Sequence, residues 1–120
     1  MMSTSEAFAV VEASLGGAPA VAVVGEVDVA AVPTLVTALE DAIRASTGAF
    51  VIDLCELEFL DSSGLSVLLR ARALLARDER GLAIVCPPGA VRRLFEVAGI
   101  ADLLCLYDTR EAAAGALVPK

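Results

Sequence analysis

Asp61, Ser62, Ser63 and Gly64 form the cluster with the clearest chemistry in the sequence. The cluster follows the apolar segment 50–54, which is typical of a buried strand, and precedes a long segment with apolar residues at helical spacing. Such residue types are favoured at helix N-termini, where the first backbone N–H groups lack partners. The same N–H groups and the positive end of the helix dipole favour an anion, including a covalently attached phosphate. Two adjacent hydroxyls are available here to carry one.

A simpler interpretation needs no modification at all. Asp61, Ser62 and Ser63 can act as helix caps, each worth roughly 0.5–2 kcal/mol on replacement by alanine. Asp28 follows another strand-like segment and is likewise a candidate N-cap. Capping and phosphorylation are compatible, because a hydroxyl can cap a helix until it is modified.

The helix predicted after the cluster has one narrow polar edge. The residues that line this edge, at about 100° per residue, are Ser66, Arg70, Ala73 and Arg77. Extrapolated back by one turn, the edge begins near Ser62. We therefore expect Ser66 and Arg70 to share a surface with Ser62 and, together with it, to contact a partner protein.

Catalysis by the chain itself is not expected. A serine nucleophile needs a base, normally histidine, and the sequence contains no histidine. Gly-x-Ser-x-Gly, Ser-x-x-Lys, both glycine-rich phosphate-binding patterns and Cys-x-x-Cys are also missing. Asp28 and Asp61 both lie at strand-to-helix junctions and could approach each other, but two carboxylates are weak evidence for a metal site. We predict no enzyme activity, metal or cofactor, and leave open weak nucleotide binding near Asp28.

Composition narrows the choice of partner. The net charge is −7 and the single lysine is Lys120, which argues against nucleic acid and anionic membranes. No apolar run reaches the roughly 20 residues of a membrane span, and the N-terminus lacks the basic start of a secretory signal. A cytoplasmic protein that binds another protein is therefore expected. Cys55, Cys86 and Cys105 lie in apolar neighbourhoods and are expected to be buried thiols.

The order of the predicted elements indicates an α/β fold. Strand and helix alternate from residue 50 onward, which predicts parallel strands joined by right-handed crossovers. Strands over 8–12 and 21–24, with turn residues between them, predict an antiparallel hairpin at the edge. We predict a single domain over residues 1–120, with a mixed sheet of four to five strands and about four helices.

A response-regulator receiver is the nearest competing signalling module of this size, with Asp53 or Asp61 as its phosphoacceptor. That family carries an acidic pair after the first strand and a lysine at the end of the fifth. The region before the last predicted helix, residues 107–110, supplies no lysine. We reject the receiver interpretation.

Four segments together resemble a STAS domain, and within that family the chain is most similar to bacterial anti-sigma factor antagonists. The segments are 25–28 (Gly-Glu-Val-Asp), 51–54 (Val-Ile-Asp-Leu), 59–65 (Phe-Leu-Asp-Ser-Ser-Gly-Leu) and 92–100 (Arg-Arg-Leu-Phe-Glu-Val-Ala-Gly-Ile). They occur in order and with compatible spacing, so that the resemblance extends from about residue 8 to residue 117.

The resemblance implies a partner-switching regulator. Such a protein binds an anti-sigma factor that is also a serine kinase of the histidine-kinase-like ATPase type, which frees a sigma factor. The kinase phosphorylates the first serine of the motif, here Ser62, and a serine phosphatase of the metal-dependent class reverses this. Asp28, Asp61, Ser63 and Gly64 fall on positions that frame the phosphorylation and docking surface. The alternative is the same fold in another assembly, such as a stressosome or a lipid-transport complex.

Overall fold

The structure, a computed structural model, describes residues 8–117. Its strands are β1 (Phe8–Leu15), β2 (Ala18–Val27), β3 (Phe50–Asp53), β4 (Leu57–Leu60), β5 (Leu82–Val85) and β6 (Leu106–Tyr107). Its α-helices are α1 (Val32–Arg44), α2 (Ser62–Arg77), α3 (Ala90–Val97) and α4 (Arg110–Leu117), and short 3-10 turns cover Val29–Ala31 and Ala101–Leu103. None of the helices within 8–117 is both long and apolar enough to cross a membrane.

The strands form one mixed sheet in the order β1-β2-β3-β5-β6. β1 and β2 are antiparallel, and the remaining pairs are parallel. β4 lies outside this path and pairs in parallel with the last residues of β2, beyond the end of β3. The predicted α/β class, mixed sheet and four helices are confirmed, and the sheet has six strands where four to five were predicted.

Consecutive side chains of the central strands pack in two different hydrophobic cores, one on each face of the sheet. Val21, Ile52 and Ile84 face the main core, which is closed by helices α1, α2 and α3. Their neighbours Ala20, Val51 and Ala83 face a smaller core, which Ala113 of α4 helps to close. Because both faces are covered, residues 50–52 of β3 and all of β5 are apolar and lack the alternation of a half-exposed strand.

Arg80 fixes the loop between α1 and β3. Its Nε donates to the carbonyl of Gly48 at 2.7 Å, and its Nη1 donates to the carbonyl of Ile43 at 2.7 Å. Its Nη2 donates to Ser46 Oγ at 2.9 Å. One guanidinium group therefore satisfies acceptors at the end of α1 and in the loop that enters β3.

The three cysteines differ in exposure. Cys86 is buried, Cys55 is partly buried and Cys105 is exposed. The prediction of three buried thiols is therefore wrong for Cys105, which lies between the second 3-10 turn and the short strand β6. Its backbone has a φ of 49°, in the left-handed region, so Cys105 is part of a turn before β6 and not of a buried strand.

Candidate functional site

The ends of β2 and β4 bring Asp28 and Asp61 to the same edge of the sheet. The last residues of these parallel strands, Val27 and Leu60, are paired in the register. The N–H of Asp61 donates to the carbonyl of Val27 at 3.3 Å, which extends the ladder by one bond. Asp28 and Asp61 are the next residues on the two strands, and each begins a helical turn.

Asp61, and neither of the serines, is the N-cap of α2. Its Oδ1 accepts hydrogen bonds from the N–H groups of Ser63 at 3.0 Å and Gly64 at 3.2 Å, and also from the Ser63 hydroxyl. The Ser63 hydroxyl bond is the main reason why the pKa of Asp61 lies below its ordinary value; partial desolvation opposes this shift, and the two backbone bonds reinforce it. The carboxylate is therefore ionised at neutral pH.

Ser62 and Ser63 are adjacent but have different environments. Ser62 is the first residue of α2 and is exposed. Ser63 is only partly exposed, and its hydroxyl is engaged with the Asp61 carboxylate. Of the two hydroxyls, that of Ser62 is the one that a second protein could reach.

Gly64 is the third residue of α2 and is buried where the first turn of the helix packs against the sheet. A Cβ atom at this position would lie 2.2 Å from Leu60 Cδ1 and 3.1 Å from Val27 Cγ1. Since non-bonded carbon atoms prefer separations of roughly 3.5–4.0 Å, a side chain at this position would force Leu60 and Val27 to shift. Gly64 therefore positions Ser62 through packing and offers no side chain to a partner.

Ser66 and Arg70 extend the polar edge of α2 in two different ways. Ser66 is exposed, and its Oγ donates to the carbonyl of Ser62 at 3.2 Å, so it lies directly behind the first turn. Arg70 is also exposed, but its Nε donates to Glu40 Oε2 of α1 at 2.8 Å. The predicted polar edge of α2 therefore has two parts. Ser66 lies next to Ser62, and the charge of Arg70 faces α1.

Asp53, the other carboxylate considered in the sequence, belongs to a separate cluster. Its Oδ2 accepts from Arg110 Nε of α4 at 2.6 Å, and its Oδ1 accepts from the N–H of Cys55 at 2.9 Å. Burial alone would raise the pKa of Asp53, but the hydrogen bonds from Arg110 and Cys55 outweigh burial and lower it. This ion pair connects the end of β3 to α4.

The surface around Ser62 is acidic. Glu26, Asp28 and Glu58 are exposed close to the ionised Asp61. The ion pairs found within residues 8–117 involve none of these four carboxylates. In the same part of the chain, no three His, Cys, Asp or Glu side chains are grouped as metal ligands would be. The charge is therefore available to an external partner.

Two exposed apolar residues at the edge of the sheet that carries Ser62 were not identified from the sequence. Phe59 of β4 is 48% exposed, and Val29 of the first 3-10 turn is 71% exposed. The available signal was weak: Leu57 to Leu60 contains three apolar residues around a single glutamate, a pattern that does not reveal which side chain faces outward.

Comparison with known proteins agrees with this architecture. The sequence model of a family described as "Mlab, STAS domain" matches residues 10–106. The chain belongs to the STAS domain family. An anti-sigma-B factor antagonist from Staphylococcus aureus is 31% identical over 87 residues, which covers 72% of this STAS domain chain and 81% of the relative. A Staphylococcus epidermidis protein of the same description is 30% identical over the same length.

Solved structures show the same relationship. An anti-sigma factor antagonist from Mycobacterium paratuberculosis superposes on this STAS domain with a TM-score of 0.86 at 31% identity, covering 97% of this chain and 98% of the other. SpoIIAA in its unphosphorylated form, an anti-sigma factor antagonist, superposes with a TM-score of 0.69 at 23% identity, with coverage of 88% and 92%. At that identity the second similarity shows the fold alone.

Proposed function

We propose that this STAS domain is an anti-sigma factor antagonist that works by partner switching in the cytoplasm. The unmodified protein binds an anti-sigma factor, which is also a serine kinase of the histidine-kinase-like ATPase type, and so frees a sigma factor. Phosphorylation of Ser62 ends this binding, and a serine phosphatase restores it. The protein carries out no catalysis of its own, and the single domain spans residues 1–120.

The observation that supports this proposal best is the exposure of Ser62 at the first position of α2. A kinase has to bring a serine hydroxyl into its own active site, which requires an accessible side chain. The neighbouring Ser63 is held by Asp61. The curated relatives named as anti-sigma factor antagonists supply the class of partner.

Phosphorylation should change the surface and leave the fold intact. A phosphate adds about −1.5 to −2 charges at pH 7. The first amides of α2 already donate to Asp61, so that the phosphate needs to displace no cap. The phosphate instead lies at the acidic surface that contains Asp61, Asp28 and Glu58. A docked partner would have to make room for the phosphate group and remove the water bound to it.

The test is phosphorylation in vitro with purified histidine-kinase-like ATPases from the same genome, beginning with any encoded next to this chain. Mass spectrometry should locate one phosphate on Ser62 in the wild type and in Ser63→Ala, and none in Ser62→Ala. Ser62→Ala should still bind the kinase, as measured by titration calorimetry. Phosphate on Ser63, or no modification by any such kinase, would contradict the proposal.

A second assignment is a STAS subunit of another assembly, of the stressosome or lipid-transport type. The family description that matches the chain is general to STAS domains and does not specify sigma-factor regulation. The kinase experiment separates the two functions, because only the first requires a direct complex with a histidine-kinase-like anti-sigma factor. Co-purification with transporter subunits, in the absence of such a complex, would favour the second.

A further inference from the structure

A β-bulge in β4 turns Phe59 toward solvent. Gly25 is opposite Leu57 and Glu26 is opposite Phe59, so that Glu58 is an extra residue without a partner on β2. In a regular strand, residues three apart point to opposite faces. Leu57 and Leu60 are nevertheless both buried, and Phe59 is 48% exposed between them. Bulges commonly redirect a side chain next to a functional site.

Val29 provides a second apolar group at the same edge. Asp28 caps the 3-10 turn through a hydrogen bond from the N–H of Ala30 at 3.0 Å, and Val29 is the first residue of that turn. Because Val27 is paired with Leu60, Val29 and Ser62 each lie two residues beyond the same step of the ladder. Val29 and Ser62 therefore both follow the paired ends of β2 and β4, at the edge of the sheet where Phe59 is exposed.

This face, which we call the anchor surface, combines exposed apolar groups with exposed carboxylates. Its members are Glu26, Asp28, Val29, Glu58, Phe59 and Ser62. Protein interfaces typically place aromatic and aliphatic side chains at their dry centre and charged groups at the rim. Phe59 and Val29 supply the apolar centre of such an interface, and Glu26, Asp28 and Glu58 supply its charged rim.

We propose that Phe59 and Val29 are the apolar anchors by which the unmodified protein docks onto its anti-sigma factor. Phe59 inserts into an apolar pocket of the partner, and cations at the rim of that pocket face Glu26, Asp28 and Glu58. The occupant follows from charge, since carboxylates without ion pairs within residues 8–117 call for a partner of opposite sign. This inference rests on the proposed function of the same site.

The anchors also explain the direction of the switch. Negative charge added to an acidic surface would by itself strengthen attraction to a basic rim. A phosphate on Ser62, however, would lie beside Phe59 and Val29, where docking excludes water. A phosphate placed in a hydrophobic interface disrupts it, because docking has to remove the water that surrounds the phosphate. Release of the partner, as opposed to tighter binding, is then the expected response to phosphorylation.

The test compares Phe59→Thr and Val29→Thr with the wild type by titration calorimetry against the purified anti-sigma factor that phosphorylates Ser62. Threonine keeps a β-branched or strand-compatible side chain and removes the apolar contact. Phe59→Thr should raise the Kd by about tenfold or more, and Val29→Thr by roughly threefold to tenfold. Val11→Thr in β1, where Val11 is 51% exposed, is the matched control and should leave the Kd unchanged.

Circular dichroism and the melting temperature show whether each variant folds. If Phe59→Thr does not fold, Val29→Thr still tests the inference, because threonine and valine have nearly the same shape. Wild-type affinity in both anchor variants would overturn the inference while the proposed function stands. A loss in the anchor variants that merely equals the loss in Val11→Thr would also overturn it. A wild-type protein that neither binds nor is modified by any anti-sigma kinase would instead refute the proposed function.

Discussion

Gly64→Ala tests whether the first turn of α2 depends on the absence of a side chain. The added Cβ would lie 2.2 Å from Leu60 Cδ1, and 3.1 Å from both Leu60 Cγ and Val27 Cγ1. Leu60 can rotate its terminal methyl group away, but it is only 6% exposed, and Val27 is 0% exposed. Because both neighbours are buried, relief of the clash requires side chains packed around them to shift as well.

The expected cost is the difference between two effects of opposite sign. Overpacking of a well-packed core typically costs about 1–3 kcal/mol. Alanine gains up to about 1 kcal/mol over glycine in a helix interior, and the gain is smaller at the third residue of a helix. We therefore expect Gly64→Ala to lower the free energy of unfolding by about 1–2 kcal/mol.

Urea denaturation of the purified protein measures this change, and Gly115→Ala is the control. Gly115 lies in α4, where an added Cβ would meet nothing within 4 Å, so the helical preference of alanine acts there alone. That variant should be neutral or slightly stabilised. If Gly64→Ala proved as stable as Gly115→Ala, the packing argument would be refuted. A double variant with Leu60→Ala should show a cost below the sum of the single ones.

Three further predictions follow from contacts described above. Arg80→Ala should lower the unfolding free energy by roughly 2 kcal/mol, because charge-assisted hydrogen bonds to the α1–β3 loop are lost; Arg80→Lys should fall between this variant and the wild type in urea denaturation. Asp53 and Asp61 both have a lowered pKa, so stability should be constant above about pH 5 and fall below about pH 4 as they are protonated. Asp53→Asn should make this acid limb shallower in thermal melts at several pH values, and an unchanged limb would contradict the assignment. Ser62→Asp should keep the wild-type circular dichroism spectrum and lose affinity for the anti-sigma factor in calorimetry. A variant that loses its tertiary structure, or that binds with wild-type affinity, would contradict the proposal that phosphorylation changes only the surface.

Features set by local chemistry could be predicted from the sequence. The strand before residue 55 and the polar cluster after it placed the start of α2 within a residue or two. The sequence of α1 carries a similar local signal, because its apolar residues recur at helical spacing and Pro33 lies in the first turn, where proline is tolerated. Asp28 and Asp61 were both expected as caps, and both accept backbone hydrogen bonds in that role.

Features that depend on contacts between distant parts of the chain could not be predicted from the sequence. β4 is held by pairing with β2, and its bulge removes the alternation by which a strand is recognised. Arg70 was placed on a partner surface, but its ionic partner Glu40 is 30 residues away on α1. The difference between Ser62 and Ser63 depends on one hydroxyl reaching Asp61, which residue types alone do not specify.

The parallel pairing of β2 with β4 has a consequence for when the Ser62 region exists. The two strands are separated in sequence by all of α1 and β3, so this pairing closes a long loop and is a non-local contact. A nascent or partly unfolded chain carries the Ser62 hydroxyl but not the neighbours contributed by β2. A partner that recognises this face therefore binds only chains in which β2 and β4 have already paired.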